Sequence, residues 1–218
     1  MHKFMMKVAV LMSGFILSVS LAAQPYPNKP ISLVVPQAAG GTNDIVARLI
    51  APAFGDAIGG SVVVENRPGA GGNIGTQSVA RSAKDGYTLL LTINSAQAIN
   101  PVLYKNPGFD PLNDFVPLYY IGATPYVLVS PPGSPYKTLA EVIAAAKKKP
   151  GELSYASAGN GTISHLLGAM LNTSAGVDMQ HIPYKGVAPA INDVLGGQVP
   201  LAFASLPSAL NYIKAGKL

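Results

Sequence analysis

The segment Pro36-Gln37-Ala38-Ala39-Gly40-Gly41-Thr42-Asn43-Asp44 is the part of the sequence around which the fold is organised. It joins the apolar, β-branched run at residues 31–35 to a helical pattern that begins near Ile45. Gly-Gly and two N-cap residues after such a run are typical of a strand–turn–helix junction. The junction directs backbone N–H groups and the positive end of a helix dipole at one place, which suits an anion. A simple tight turn with a helix cap is the alternative, and both remain open for this segment alone.

Strands and helices are predicted to alternate along the whole chain. The first half carries predicted strands at 31–35, 61–65 and 87–92, with helices beginning near 45 and at 74 and 98. The second half carries predicted helices at 138–149, 165–175, 188–195 and 207–215, with strands at 153–156, 179–182 and 201–204 between them. Two apolar runs, 115–121 and 126–130, are predicted to be connecting strands. This alternation predicts an α/β fold with parallel sheets, and we place a domain boundary near residue 123.

Residues 1–23 are typical of a secretory signal peptide. Lys3 and Lys7 precede an apolar run at 8–21, and the small residues Ala22 and Ala23 follow. This run is short for a membrane span. The sequence therefore predicts an exported protein that is located in the periplasm. Because the chain contains no cysteine, it carries no disulfide framework and no Cys-based metal site.

The charge pattern argues against nucleic-acid binding. The formal net charge of +5 falls to +3 when Lys3 and Lys7 leave with the signal peptide. The remaining basic residues are scattered, apart from three lysines at 147–149. These three stand at the end of a predicted helix, where cations complement the helix dipole. We therefore expect no nucleic-acid partner.

Three kinds of chemistry find only weak support in the sequence. Gly69-Ala70-Gly71-Gly72-Asn73-Ile74-Gly75 resembles a dinucleotide fingerprint, but its last glycine comes one position late. A hydrolase could be assembled from Ser157 or Ser164 with His165 and Asp178, although nothing in their spacing favours it. The histidines remaining after signal removal, at 165 and 181, are a poor zinc signature. The hydrolase remains an open alternative.

A second junction rich in small polar residues, at 157–164, lies between a predicted strand and a predicted helix. Because the first junction lies in the other half of the chain, the two can converge on one cleft between domains. Ligand sites favour such clefts and the carboxyl ends of parallel strands. The donors there would be backbone N–H groups and neutral side chains, which could hold a carboxylate without a salt bridge.

Several longer segments carry a resemblance to a known family. They are Tyr26-Pro27-Asn28-Lys29-Pro30-Ile31, Val64-Glu65-Asn66-Arg67-Pro68-Gly69, Asp85-Gly86-Tyr87-Thr88-Leu89-Leu90, Tyr155-Ala156-Ser157-Ala158-Gly159-Asn160-Gly161, and His181-Ile182-Pro183-Tyr184-Lys185-Gly186. With these segments, in this order, the chain resembles the substrate-binding receptors of tripartite tricarboxylate transporters, the Bug family.

The resemblance implies a two-domain α/β fold like that of type II periplasmic binding proteins, with residues 24–123 and 124–218 as the two domains. It implies an extracytoplasmic receptor that captures a small carboxylate-bearing metabolite between these domains. The receptor would pass it to membrane permease subunits, as a monomer, without catalysis, cofactor or metal. Family members continue beyond the position of Leu218 with a return to the first domain. We therefore expect a nearly complete second domain and a first domain that lacks this return, and a truncated, non-binding remnant is the alternative.

The resemblance also implies which residues bind the ligand. The predicted set is Gln37, Ala38, Gly40, Gly41, Thr42, Asn43, Asp44, Asn94, Ser95, Gln97, Ser157, Gly159, Asn160, Gly161 and Thr162. The glycine-rich stretch at 66–74 is expected to be mostly structural. Gln37 stands where the family commonly has Phe. The family's first loop commonly ends Gly/Ser-Thr-Asp, whereas in this chain Thr42-Asn43 precede Asp44. Ala204 stands where the family often has Asp. Gln37 and Asn43 are thus the positions expected to alter what the pocket accepts.

Overall fold

The computed structural model describes residues 25–218, and the predicted signal peptide lies outside the described residues. The described strands form a three-stranded sheet in the first half of the chain and a four-stranded sheet in the second half. No helix within residues 25–218 is both long enough and apolar enough to cross a membrane.

The first sheet has β1 (Ile31–Val35) at its centre, between β2 (Val62–Asn66) and β3 (Thr88–Leu90). Both neighbours run parallel to β1. Such pairing requires crossover connections, and these are supplied by α1 (Thr42–Ile58) and α2 (Asn73–Ala80). The helix α1 begins three residues earlier than predicted and continues through Pro52. After β3 the chain forms a short π-helical turn, Ser95–Ile99, and then α3 (Asn100–Leu103).

The second sheet contains β4 (Tyr126–Val129), β5 (Ser154–Ser157), β6 (Gln180–Pro183) and β7 (Leu201–Ser205), in the order β4-β7-β5-β6. β4 is antiparallel to β7, whereas β5 is parallel to both of its neighbours. This sheet is covered by four helices: α4 (Leu139–Lys148), α5 (Ile163–Ala175), α6 (Val187–Leu195) and α7 (Leu206–Lys214).

Helices cover both faces of the second sheet, which explains its nearly continuous apolar strands. On one face α4 and α5 pack over Leu153, Tyr155 and Phe203. On the other face, Ala156 and Ala202 lie in a core with α6 and α7. The predicted capping box at the start of α4 is confirmed, since the Thr138 side chain accepts from the Glu141 backbone and the Glu141 side chain accepts in return.

The prediction of a strand at residues 115–121 is wrong. No strand is formed there, and the side chains of Leu118, Tyr119 and Tyr120 are exposed. Strand identity depends on a partner, and no strand within residues 25–218 pairs with this run. β4 begins after it, at Tyr126. The domain boundary near residue 123 stays a prediction.

Candidate ligand-binding cleft between the two sheets

The loops of the two halves meet at the carboxyl ends of β1 and β7. Thr42 Oγ1 donates to Ser205 Oγ at 2.5 Å and lies 3.2 Å from Ser208 Oγ. A second contact between the two halves is made by Tyr104, whose Oη donates to the Asn160 carbonyl at 2.8 Å. These hydrogen bonds join elements that are distant in the chain, so the two halves are closed on each other.

A cavity of about 200 Å³, which we call the cleft cavity, lies between the two halves. Its first wall consists of residues 36–37, 68–72 and Tyr104, and its second wall consists of residues 158–160, Thr162 and residues 183–186. Each wall is built mainly of glycine, proline and short polar residues. The backbone can therefore approach a bound molecule closely.

Four residues of the predicted set line the cleft cavity: Gln37, Gly159, Asn160 and Thr162. The others do not line it, and hydrogen bonds or packing hold several of them in place. A Cβ on Gly40 would contact Ala188, and Ala38 packs against Gly186. The predicted third loop, with Asn94, Ser95 and Gln97, forms the π-helical turn and its N-cap and does not line the cavity. Ligand binding by these residues stays a prediction.

The carboxylate of Asp44 is used to shape the first loop. It is almost fully buried, and it accepts from the Gly40 backbone N–H at 2.9 Å and from Arg48 Nε at 2.9 Å. Burial alone would raise the pKa of Asp44, but these hydrogen bonds together outweigh it and hold the pKa below its ordinary value. The negative charge of Asp44 is thus compensated by Arg48 and by the Gly40 N–H group.

The second-half loop is held together by its own short side chains. Ser157 Oγ accepts from the Gly159 backbone N–H at 3.0 Å, and Ala158 N–H donates to Ser164 Oγ at 2.9 Å. Thr162 Oγ1 donates to the Gly159 carbonyl at 2.7 Å. This internal network explains why residues 157–164 are so rich in Ser, Thr and Gly.

The hydrolase arrangement predicted as an alternative is not formed. Ser157 is fully buried, and its Oγ is hydrogen-bonded to His181 Nε2 at 2.5 Å instead of to His165. Within residues 25–218 no hydrogen bond joins Asp178 to either histidine. Ser164 is occupied with the Ala158 N–H and with Thr162 Oγ1, 3.0 Å away. The serines therefore shape the loop.

The two histidines are stacked beneath this loop. Their ring centroids are 4.1 Å apart at an interplanar angle of 19°, and Tyr155 stacks on His181 at 5.2 Å. His165 Nδ1 accepts from the Gly161 backbone N–H at 3.3 Å. Burial, together with the neighbouring His165, lowers the pKa of His181 to about 4, and burial also lowers the pKa of His165. Both rings are therefore neutral at pH 7.

We expect the protein to lose stability as the pH falls from about 6.5 to about 4. The unfolded chain binds protons on histidine near pH 6.5, whereas folded His181 resists protonation until about pH 4. The contribution is complete above pH 6.5 and is lost at lower pH, and partial solvent contact limits it to the order of 1–2 kcal/mol. Thermal melts followed by circular dichroism at pH 7.5 and pH 5.0 measure it.

The matched variant is His181→Gln, which should show a smaller drop in Tm between these two pH values. The lowered pKa values of Asp44 and Glu65 reduce stability mainly below about pH 4.5, which is below both pH values of the melts. An equal drop in the variant and the wild-type protein would contradict this role of His181.

Among residues 25–218, Lys185 is the only charged residue that lines the cleft cavity. It is exposed, and within residues 25–218 it makes no ion pair. The nearby Asp193 instead accepts from Tyr184 Oη at 2.5 Å. Burial of Tyr184, together with this bond, raises the pKa of Tyr184 to about 12. The lysine charge therefore remains available to a molecule in the cavity.

Sequence reasoning missed three parts of the cavity wall: Tyr104, residues 68–72 and residues 183–186, which include Lys185. Residues 68–72, within the stretch expected to be mostly structural, line the cavity, and the structural role of that stretch stays a prediction. A signal for Lys185 was present in the sequence. It follows β6 and precedes α6, which makes a third strand–loop–helix junction at the same edge of the sheets. Within residues 25–218 no group of His, Cys, Asp and Glu could hold a metal ion.

Comparison with known proteins agrees with this architecture. A family model described as the tripartite tricarboxylate transporter family receptor matches residues 46–218. The protein BugT of Bordetella pertussis is 37% identical over the whole chain, which covers 67% of BugT. The solved structure of the periplasmic binding protein BugD is 43% identical, with a TM-score of 0.81.

A second solved structure, of a Rhodopseudomonas palustris protein with adipate, is 36% identical and superposes with a TM-score of 0.84. The match covers 88% of this chain but only 64% of the chain of each of these two structures. The chain thus spans about two thirds of the length of the relatives it matches. The α/β fold and its likeness to periplasmic binding proteins are confirmed.

The matched family consists of solute-binding receptors and not of enzymes. The chain belongs to the receptor family of the tripartite tricarboxylate transporters, which includes the Bug proteins.

Proposed function

We propose that the protein is a periplasmic receptor that captures a small carboxylate-bearing metabolite in the cleft cavity and delivers it to a tripartite tricarboxylate-type transporter. The observation that carries this proposal is the charge of the cavity wall. Of the residues that the structure describes, one unpaired cation, Lys185, lines it, and no acidic residue does. Such a wall favours an anion over a cation or a neutral solute.

The remaining donors in the wall are suited to a carboxylate. The backbone N–H groups of Gly71 and Asn160 donate to no protein acceptor within residues 25–218. These two residues lie on opposite walls of the cavity. A carboxylate accepts several such bonds, and hydrogen bonds to an ionised group are stronger than neutral ones. The adipate bound by the relative of known structure supports the same class of ligand.

The contacts that close the cleft explain how ligand and closure would be linked. Tyr104 and Asn160 both line the cavity, and they are hydrogen-bonded to each other across it at 2.8 Å. A ligand between the walls would therefore contact both halves in the arrangement in which this bond and the Thr42–Ser205 bond are formed. Preferential binding to the closed form would then stabilise that form.

A thermal-shift and calorimetric titration tests the proposal. Adipate and succinate should raise Tm, and adipamide and succinamide, matched in shape but uncharged, should not. At a ligand concentration of 100 times Kd, the stabilisation is about 2.7 kcal/mol, which is several degrees in a domain of this size. A panel of carboxylates without any shift, or equal shifts with the diamides, would overturn the proposal.

A further inference from the structure

His165 and His181, which we call the histidine pair, hold the second-half loop (residues 157–164) at two of its glycines. His165 Nδ1 accepts from the Gly161 backbone N–H at 3.3 Å. His181 Nε2 is hydrogen-bonded to Ser157 Oγ at 2.5 Å, and this oxygen also accepts from the Gly159 N–H at 3.0 Å. Because the two rings are stacked on each other at 4.1 Å, both attachments depend on one pair of side chains.

The two glycines lie where the loop meets the cleft. Gly159 lines the cleft cavity together with the neighbouring Asn160, whose carbonyl accepts from Tyr104 across the cleft. Gly161 lies against the first half, since a Cβ there would overlap Asn100 Oδ1. A small displacement of the loop would therefore change both the wall of the cavity and the contacts that close it.

The attachment at Gly161 requires a neutral His165 ring. A neutral imidazole offers one nitrogen as a hydrogen-bond acceptor, whereas an imidazolium carries N–H on both nitrogens. A proton on His165 Nδ1 would therefore face the Gly161 N–H, and the hydrogen bond would be lost. A charge on both rings would also place two like charges in contact across the stack, which drives the rings apart.

The surroundings of the histidine pair supply no counter-charge. The strand β5 turns Tyr155 and Ser157 toward the rings, and burial raises the pKa of Tyr155, so this phenol is uncharged. Within residues 25–218 no Asp, Glu, Lys or Arg side chain forms a hydrogen bond or ion pair with either ring. Burial and the neighbouring His165 ring lower the pKa of His181, and burial lowers that of His165. The packed pair therefore resists protons that it would accept in contact with water.

We propose that His165 and His181 are positioning residues of the ligand site, which hold the second-half loop in place as neutral rings and release it, with the bound acid, when they take up a proton. The receptor thus binds its ligand tightly near neutral pH and releases it in acid. Apparent affinity falls with the fraction of protein that is competent to bind, so even a partly released loop weakens binding. This assignment rests on the proposed capture of a carboxylate in the cleft cavity.

Calorimetric titration with succinate at pH 7.5 and pH 5.0 tests the assignment, and the measured quantity is the ratio of the two Kd values. His165→Asn keeps an acceptor near the position of Nδ1 and cannot become charged. The ratio should be about 3- to 10-fold larger in the wild-type protein than in His165→Asn. Protonation of succinate itself cancels in this comparison, because it is the same for both proteins. His165→Phe keeps a ring in the stack without the acceptor and should weaken binding already at pH 7.5.

A measurement on the loop itself and a control complete the experiment. In the ligand-free wild-type protein, the amide NMR signals of Gly159 and Gly161 should shift between the two pH values, and in His165→Asn the Gly161 signal should stay in place. Asp56→Asn removes an exposed carboxylate from α1, in the other half of the chain, and should keep the wild-type ratio.

The outcomes separate this assignment from the proposed capture. Equal Kd ratios in the wild-type protein and His165→Asn, or glycine signals that do not shift in the wild-type protein, overturn the role of the histidine pair while carboxylate capture stands. Absence of succinate binding by the wild-type protein at pH 7.5 overturns the proposed capture, and the release of a bound acid with it.

Discussion

Replacing Gly161 by alanine should keep the two halves from closing and weaken carboxylate binding roughly 10- to 100-fold. Gly161 lies in the loop of the second half, at φ +79°, against the first half. A Cβ at this position would overlap Asn100 Oδ1 and would lie 2.9 Å from the Tyr104 ring. Asn100 is fully buried and hydrogen-bonded, so it cannot give way without breaking its own contacts.

The effect on binding follows from the place of this contact. Tyr104 donates to the carbonyl of Asn160, the residue before Gly161, so the overlap occurs where the walls of the cleft cavity meet. A separation of a few tenths of an ångström here would lengthen that hydrogen bond and widen the cavity. Ligand affinity, measured by calorimetry, and the radius of gyration, measured by small-angle scattering, should change together.

Gly176→Ala is the matched control. Gly176 also has a left-handed backbone, at φ +59°, but a Cβ there would meet nothing within 4 Å. Both variants carry the strain of a left-handed alanine, about 1 kcal/mol, and only Gly161→Ala adds the steric overlap. Equal ligand affinities in the two variants would show that the contact at Gly161 does not control closure.

Replacing Gly168 by alanine should destabilise the protein by about 2–3 kcal/mol, although helix propensity predicts the opposite sign. Gly168 lies within α5, where alanine would ordinarily stabilise a helix by about 1 kcal/mol. Here the added Cβ would overlap the ring of Tyr155, on which α5 packs. Tyr155 is fully buried and is held by Phe203 at 5.7 Å and by His181 at 5.2 Å between ring centroids. The ring therefore has no free space to enter.

Urea unfolding of the variant measures this loss as a lower midpoint with an unchanged slope. Tyr155→Leu alone should also destabilise the protein, because a buried aromatic ring is removed. Since the leucine leaves space for the new Cβ, the double variant should lose less stability than the sum of the two single losses. A Gly168→Ala protein more stable than wild type would refute the packing argument.

The order of strands and helices could be predicted from the sequence because it depends on local patterns. Apolar runs of four to five residues and helical spacing decide most elements, and the Thr138–Glu141 capping box marks the start of α4. The run at 115–121 has the same local pattern and forms no strand. Its state depends on whether another strand lies beside it, which local composition does not encode.

A cavity lies between the two predicted junctions, and only part of its wall belongs to the predicted residue set. Gln37, Gly159, Asn160 and Thr162 follow strand ends and could be found from the chain order. Tyr104 follows the short helix α3, and its hydroxyl reaches a carbonyl 56 residues away. No sequence spacing indicates such a contact. Lys185, which also lines the cavity, was not in the predicted set.

By itself, the sequence determined the alternation of strands and helices, the junctions that gather backbone donors at one edge of each sheet, and the family. The alternation and the junctions follow from residue type and spacing within single turns and strands, and the family follows from longer segments of matching residues. Only the tertiary structure decided that Asn43 holds the Gln37 amide, that Ser157 pairs with His181, and that Gly168 must lack a side chain. Each of these depends on atoms brought within a few ångströms by packing, and packing is a property of the assembled halves.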